Sequence, residues 1–176
     1  MLSRFSPFLF CLLFVLSFSC AQIPADRPHT LDTKLDARLS RIISYTVPLI
    51  GVEELKSIRS EVRLFDAREQ EEYEVSHIEG AQYLGYDDFD PGRLEGVKKE
   101  DKIVLYCSIG YRSEKIGERL REMGYTNVYN LYGSIFDWVS RGHPVVTSDG
   151  EVTRKVHTYD YLWSRLLNCQ EVEKVW

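Results

Sequence analysis

The chain has 176 residues, of which 44% are hydrophobic and 28% are charged, so its composition is that of a globular protein. This composition argues against a disordered chain, a collagen-like chain or a protein that crosses the membrane many times. The net charge of −5, from 22 basic and 27 acidic residues, and the lack of a Lys- or Arg-rich run in the sequence disfavour nucleic acid as a partner.

The first 21 residues have the organisation of an export signal peptide. Arg4 precedes the apolar run 8–18, and small residues follow at 19–21. A retained transmembrane helix is the weaker alternative, because such a helix needs roughly 20 apolar residues. Here polar sequence with two prolines follows the run directly.

Two cleavage sites remain open for this leader. Signal peptidase would cut after Ala21, whereas lipidation would make Cys20 the mature N-terminus. The segment 16–21 resembles the lipobox of bacterial lipoproteins, and we favour lipidation because Cys20 stands at the end of the apolar run. The protein is therefore predicted to be exported and anchored by lipid on the periplasmic side of a membrane, or otherwise soluble in the periplasm or secreted.

After the leader, the chain alternates between two patterns. An N-terminal extension, 22–45, contains an amphipathic helix at 31–44 that begins at a Thr30 cap. Short apolar runs typical of strands follow at 47–50, 62–65, 81–84, 102–106 and 127–131. Helical patterns lie between them at 52–58, 113–123 and 134–140, together with a charged stretch at 69–74.

Apolar strands that are each followed by a helix predict an α/β fold with a largely parallel sheet covered on both faces. We place this domain at 46–146 and expect 87–102 to be a solvated connection between its halves. In the C-terminal extension, 147–176, the pattern weakens, and one further helix is predicted over 161–167.

Cys107 is the residue best placed to carry chemistry. It follows the apolar strand 102–106, and a tight loop leads from it into a helix that Ser113 is predicted to open. Backbone amides at a helix N-terminus favour a thiolate over a thiol, and open parallel sheets bind ligands at the carboxyl ends of their strands. The alternative is a cysteine that is buried only as a small hydrophobic residue.

Four motifs in order resemble the single-domain rhodanese-like proteins. The loop CSIGYRS at 107–113 matches the pattern C-x-x-G-x-R-S of that family. Upstream, LFDAR at 64–68 and EYEVSHIEGA at 72–81 resemble a strand ending in D-x-R and an E-[FY]-x-x-x-H-I-x-G-A signature. Downstream, 124–133 and Trp138 resemble the closing strand and the glycine-tryptophan segment.

The resemblance implies a sheet of about five strands, mostly parallel, with helices on both faces. It also implies a sulfurtransferase in which Cys107 takes a sulfane sulfur as a persulfide from thiosulfate, a persulfide or a polysulfide. The acceptor would be cyanide, a small thiol or a protein. No metal or organic cofactor is implied.

The site residues follow from the same motifs. The predicted active-site loop consists of Cys107, Ser108, Ile109, Gly110, Tyr111, Arg112 and Ser113. Arg112 has two possible roles: it contacts an incoming anion, or it turns outward and braces the loop by pairing with an acid such as Asp66 or Glu72, the role that we favour.

Three further residues have competing structural and functional interpretations. Asp66 and Arg68 are predicted to form a structural ion pair at the sheet edge, with support of the pocket as the alternative. His77 is expected to be structural, because a persulfide site needs no general base. Cys169 is expected to be an unpaired structural cysteine, although a sulfur-exchange partner for Cys107 is the other possibility.

Two other functions compete with sulfur transfer. Cys-dependent phosphatases and arsenate reductases are disfavoured, because phosphatases of this kind use C-x5-R and this loop is C-x4-R. A non-catalytic rhodanese-like module that binds a partner is the main rival. Thiosulfate itself is in doubt as the donor, because Ser108 and Ile109 stand where several thiosulfate-using relatives carry a basic residue.

Overall fold

A central five-stranded sheet organises the protein, for which the computed structural model describes residues 23–176. The predicted leader and Cys20 lie outside the described residues. The strands of the sheet are β1 (Leu49–Ile50), β2 (Arg63–Asp66), β3 (Gln82–Tyr83), β4 (Ile103–Tyr106) and β5 (Val128–Leu131). All neighbouring pairs are parallel, in the order β1-β5-β4-β2-β3, which confirms the predicted α/β fold.

Helices flank this sheet on both faces. They are α1 (Thr33–Ile42), α2 (Val52–Ser57), α3 (Gln70–Val75), α4 (Tyr111–Glu122), α5 (Ser134–Ser140) and α6 (Tyr161–Ser164). Two 3-10 helices lie at Arg59–Glu61 and Pro91–Leu94.

The central strand β4 shows why the sheet needs cover on both sides. Val104 and Tyr106 pack in one hydrophobic cluster with residues of α1, α2 and α5. Ile103 and Leu105 pack in a second cluster with residues of α4. Because successive side chains of a strand point to opposite faces, a strand covered on both faces must be apolar throughout, as this one is.

Two local predictions were wrong, and a third was incomplete. The cap of α1 is Asp32 rather than Thr30, since the Asp32 carboxylate accepts hydrogen bonds from the amides of Lys34 and Leu35 at 2.7 and 3.2 Å. Helix α4 begins at Tyr111, before Ser113, because a glycine with positive φ starts it early. The segment 87–102 is mostly exposed, as predicted, but it also contains the 3-10 helix at Pro91–Leu94, in which Leu94 is buried.

The C-terminal extension is more ordered than the sequence indicates. It contributes β7 (Val152–Thr153), which pairs antiparallel with β6 (Val145–Val146) at the end of the domain, and β8 (Lys155–His157), which pairs parallel with β9 (Glu173–Val175). The helix predicted over 161–167 is the shorter α6. Strands of two or three residues are too short to show a periodic pattern, which is why the sequence did not predict them.

The extension packs on the rest of the fold. Val156 and Leu167 are fully buried in the hydrophobic cluster that contains α1 and α5, and β8 contacts α3. Just before the extension begins, Val146 pairs with His77 through two backbone hydrogen bonds of 2.9 Å. Within 23–176, no helix combines the length and the apolar character needed to span a bilayer.

Candidate active site

Cys107 lies at the carboxyl end of β4, the middle strand of the sheet, and its side chain is buried. The chain turns sharply after it, because Gly110 adopts a φ of +119° that other residues rarely adopt. This turn brings the Gly110 amide to 3.1 Å from the Cys107 sulfur, to which it donates a hydrogen bond. The amide and the adjoining N-terminus of α4 both favour negative charge on the sulfur.

The base of the loop is held by the start of α5. The Cys107 amide donates to the Ser134 hydroxyl at 3.1 Å, and that hydroxyl donates to the Leu131 carbonyl at 3.0 Å. The amides of Ile135 and Phe136 donate to the carbonyl oxygens of Cys107 and Ser108, each at 3.2 Å. The loop is therefore hydrogen-bonded to the start of α5, and it leads directly into α4.

A second pair of contacts fixes the other end of the loop. The Ser113 hydroxyl donates to Asn130 Oδ1 at 2.7 Å, and Asn130 Nδ2 donates to the Gly110 carbonyl at 2.9 Å. Sequence reasoning missed both Asn130 and Ser134. Asn130 is a fully buried polar residue within the apolar strand β5, and that break in the apolar pattern is the signal that could have identified it.

Arg112 braces the loop by pairing with Glu72. Its two terminal nitrogens lie 2.5 and 2.8 Å from the two carboxylate oxygens of Glu72, and Glu69 Oε1 lies 3.6 Å away. The Ser108 hydroxyl joins them, accepting from Arg112 Nη2 at 3.0 Å and donating to Glu72 Oε1 at 3.1 Å. Of the two acids considered, Glu72 is the partner of Arg112, and Asp66 pairs elsewhere.

The charges of this cluster stabilise one another. Burial disfavours the carboxylate of Glu72, but the hydrogen bonds and positive charge of Arg112 outweigh burial, so the pKa of Glu72 lies below its ordinary value. Burial likewise works against the charge of Arg112, and the hydrogen bonds to Glu72 more than offset it, so the pKa of Arg112 is raised. Both groups are therefore charged at neutral pH.

Asp66 and Arg68 form a buried ion pair beside this cluster. Both side chains are inaccessible to solvent, and Arg68 Nη2 lies 2.6 Å from Asp66 Oδ2. The same nitrogen donates to the Ser76 carbonyl at 2.6 Å, while Arg68 Nη1 has no hydrogen-bond partner among the described residues. The pair lies at the carboxyl end of β2, which is an inner strand between β4 and β3.

His77 is engaged away from the sulfur. Its ring stacks on that of Tyr73, with centroids 4.0 Å apart and planes 7° apart, and its Nδ1 lies 3.1 Å from the Tyr73 carbonyl oxygen. It does not line the pocket around Cys107. These contacts support an architectural role.

The sulfur faces a pocket of about 290 Å³. Its lining consists of Cys107, Ser108, Ile109, Tyr111 and Arg112 from the loop, with Tyr86, Tyr159 and Trp163 from elsewhere. The last three were missed by sequence reasoning. Tyr159 and Trp163 come from the C-terminal extension, where no motif indicated a functional role.

Cys169 lines a different pocket and is unpaired. Its sulfur lies 3.8 Å from the Val139 carbonyl oxygen. Between residues 23 and 176, no group of three or more His, Cys, Asp or Glu side chains is arranged to hold a metal ion.

Replacing Glu72 by glutamine is expected to lower the free energy of unfolding by about 2 kcal/mol at pH 7, because a buried charged hydrogen bond to Arg112 is lost. The folded-state pKa of Glu72 is lowered, so its contribution is present above the ordinary value of 4.5 and is lost as the pH falls through the folded value. We expect urea unfolding to show a smaller difference in the free energy of unfolding between wild type and Glu72→Gln at pH 4 than at pH 7. An unchanged difference would contradict the assignment.

Comparison with known proteins places this site in a family. The model of the rhodanese-like domain matches residues 51–141, which is just over half of the chain. The thiosulfate sulfurtransferase GlpE of Coxiella burnetii is 32% identical over 91 residues, covering 52% of this chain and 81% of that protein. The putative sulfur carrier protein YrkF of Bacillus subtilis is 28% identical over 99 residues, covering 54% of this chain and 53% of that protein.

A third relative shares only a part of its length with this chain. The tRNA uridine(34) hydroxylase of Erwinia tasmaniensis is 37% identical over 81 residues, which are 43% of this chain and 23% of that protein. The chain thus spans about a quarter of the hydroxylase.

Solved structures share the fold. The rhodanese-like domain of an Anabaena protein superposes with a TM-score of 0.53 at 23% identity, covering 57% of this chain and 79% of that one. A protein of Bacillus halodurans superposes with a TM-score of 0.54 at 18% identity, covering 68% and 89%. The matched region 51–141 contains all of the central sheet except β1, together with the Cys107 loop and Glu72, which braces it. Because this region is more than half of the chain, the chain belongs to the family of proteins with a rhodanese-like domain.

Proposed function

We propose that the protein is a sulfurtransferase that carries a sulfane sulfur as a persulfide on Cys107. The observation that carries this proposal is the position of the Cys107 sulfur, which faces a pocket and accepts a hydrogen bond from the Gly110 amide at 3.1 Å. The loop around it keeps the whole C-x-x-G-x-R-S pattern at 107–113. A nucleophile held in this way needs no separate base once it is a thiolate.

The transfer takes place in two displacements. In the first, the Cys107 thiolate attacks the outer sulfur of the donor, the donor's sulfur–sulfur bond breaks, and its electron pair leaves with sulfite or a thiolate. In the second, an acceptor thiolate or cyanide attacks the outer sulfur of the persulfide, and the Cys107 thiolate leaves. The Gly110 amide and the N-terminus of α4 stabilise the negative charge on sulfur in each step.

Two of the relatives support this function through their names. One is a thiosulfate sulfurtransferase and the other a putative sulfur carrier. The names of these relatives do not identify the sulfur donor or the sulfur acceptor of this chain. The rival function, a module that binds a partner without catalysis, shares the fold but would not need a loaded sulfur.

The test is intact-mass spectrometry of the reduced protein after incubation with thiosulfate, a polysulfide or an organic persulfide. We expect a gain of one sulfur atom, followed by its loss when cyanide or a thiol is added. The Cys169→Ser variant is the control, and it should load and discharge like the wild type. Failure of every donor to load the folded, reduced protein would favour the binding module.

We also propose that the protein acts after export, anchored through lipid on Cys20. This rests on the sequence pattern of residues 1–21. The intact mass of the mature protein from a bacterial host should show diacylglycerol on Cys20. A mature N-terminus at Gln22 would refute the anchor.

A further inference from the structure

We propose that Tyr159 and Trp163, in the C-terminal extension, select the sulfur donor of Cys107. The donor class that they select is the persulfide of a small thiol with an apolar substituent, in preference to thiosulfate. This inference rests on the proposed sulfur transfer at Cys107 and adds to it the chemistry of the substrate.

The first argument is the composition of the pocket wall. Four aromatic residues line the pocket together with Ile109, namely Tyr86, Tyr111, Tyr159 and Trp163. Tyr159 and Trp163 lie outside the matched region 51–141, so this part of the wall is supplied by sequence beyond the family domain. An aromatic wall is stabilised by contact with an apolar group, because both are removed from water. A small inorganic anion makes no such contact.

The second argument is that the structure holds Tyr159 against the site. Its φ of +68° is a conformation that aromatic residues rarely adopt, and its amide donates to His157 Nδ1 at 3.1 Å. The residue before it, Thr158, is tied to β9 by a hydrogen bond of 2.8 Å from its amide to the Val175 carbonyl. As a result the Tyr159 ring lies 5.2 Å from the guanidinium carbon of Arg112.

Trp163 is positioned independently of Tyr159. Its amide donates to Asp160 Oδ1 at 2.9 Å, and Arg38 of α1 lies over its ring at 5.7 Å. The wall of the pocket is thus supported by both extensions of the domain. Trp163 is therefore held both by its own backbone and by a side chain of α1.

The third argument concerns charge. Among the described residues that line the pocket, Arg112 is the one cation. It is paired with both oxygens of Glu72, and Glu69 lies 3.6 Å from it, so two carboxylates surround one guanidinium. Thiosulfate is a dianion, which loses hydration on entering the pocket and finds no unpaired positive side chain on these walls. An organic persulfide carries at most one negative charge, and its protonated form R–S–SH is neutral.

The reaction balances for this donor. The Cys107 thiolate attacks the outer sulfur of R–S–SH, a new sulfur–sulfur bond forms on Cys107, and the bond between the two donor sulfurs breaks. The products are Cys107–S–SH and the thiolate RS⁻, whose apolar substituent R lies against the aromatic wall. No added oxidant or reductant is needed.

The experiment compares two donors, benzyl persulfide and thiosulfate, by the second-order rate constant for sulfur loading on Cys107. All proteins carry Cys169→Ser, and a Cys107→Ser protein in this background shows how much of the added sulfur is on Cys107. In this background we expect faster loading from benzyl persulfide than from thiosulfate. Tyr159→Ala should slow loading from benzyl persulfide about tenfold, the loss expected for one aromatic contact, and should slow loading from thiosulfate much less.

Two further variants keep the test specific. Tyr161→Ala is the matched control, because Tyr161 lies in the same extension, is 61% exposed and does not line the pocket. Tyr159 is itself 54% exposed, so its removal should leave thermal unfolding unchanged. Trp163→Leu tests the second side of the wall and should also reduce loading selectively from benzyl persulfide.

The outcomes separate this inference from the function on which it rests. Faster loading from thiosulfate, equal slowing of both donors by Tyr159→Ala, or an equal effect of Tyr161→Ala would overturn the donor assignment while sulfur transfer stands. Failure of every donor to load Cys107 in any protein would instead remove the proposed function.

Discussion

Replacing Cys107 by serine is expected to abolish sulfur loading, with at least about a thousandfold loss of turnover to thiocyanate. A serine hydroxyl is neutral at neutral pH and cannot hold a sulfane sulfur as a persulfide. The substitution changes one atom in a buried position, and the serine oxygen can still accept the hydrogen bond that the Gly110 amide donates to sulfur. We therefore expect the free energy of unfolding to change by no more than about 1 kcal/mol.

Intact mass and thiocyanate formation measure the first effect, and urea unfolding measures the second. Cys169→Ser is the comparison, because Cys169 is the other free cysteine within 23–176 and lines a separate pocket. If Cys107→Ser still gained one discharging sulfur, Cys107 would not be the carrier. A loss accompanied by unfolding would be decided by Cys107→Ala, which should load no sulfur while remaining folded.

Asp66→Ala is expected to lower the free energy of unfolding by about 3 to 5 kcal/mol, the typical result of breaking a buried ion pair. The reason is Arg68, which would remain as a buried guanidinium without its carboxylate. At present the Arg68 side chain has Asp66 at 2.6 Å and the Ser76 carbonyl at 2.6 Å, and neither charge reaches solvent. Urea unfolding at pH 7 measures the change.

Two comparisons separate the cost of an unpaired charge from loss of contact alone. Glu173→Ala removes one partner of the exposed pair Lys155–Glu173, whose atoms are 4.0 Å apart, and should cost no more than about 1 kcal/mol. The double variant Asp66→Ala, Arg68→Met should recover part of the stability lost in Asp66→Ala, because no buried charge remains. A cost for Asp66→Ala as small as that for Glu173→Ala would mean that Arg68 finds other partners.

The elements that the sequence predicted correctly are those that depend on residues close together in the chain. The apolar run of β4 predicts its own burial on both faces, and the tight loop predicted after Cys107 is present, with Gly110 at its turn. The predicted ends of the helices were less accurate, because they depend on the capping residue. Thr30 and Asp32 are both capping residues two positions apart, so only the hydrogen bonds of Asp32 distinguish them.

The sequence could not predict which acid pairs with Arg112. Asp66 and Glu72 were both acids within the motifs, and nothing in their spacing distinguishes them. Packing decides the pairing: Asp66 is committed to Arg68 beside it, whereas Glu72 on α3 reaches Arg112 and Ser108 across the loop. Contacts over 36 and 40 positions are not encoded in any local pattern.

By itself, the sequence determined the order along the chain of the strands of the central sheet and the loop that presents Cys107, because hydrophobic periodicity and turn residues act over a few positions. Only the tertiary structure decided which residues surround that cysteine. Glu72, Asn130 and Ser134 reach the loop from other elements, and Tyr159 and Trp163 reach the pocket from an extension without a recognisable pattern. Their proximity arises from long-range packing, in which burial of apolar surface brings distant segments together and the polar groups among them then pair.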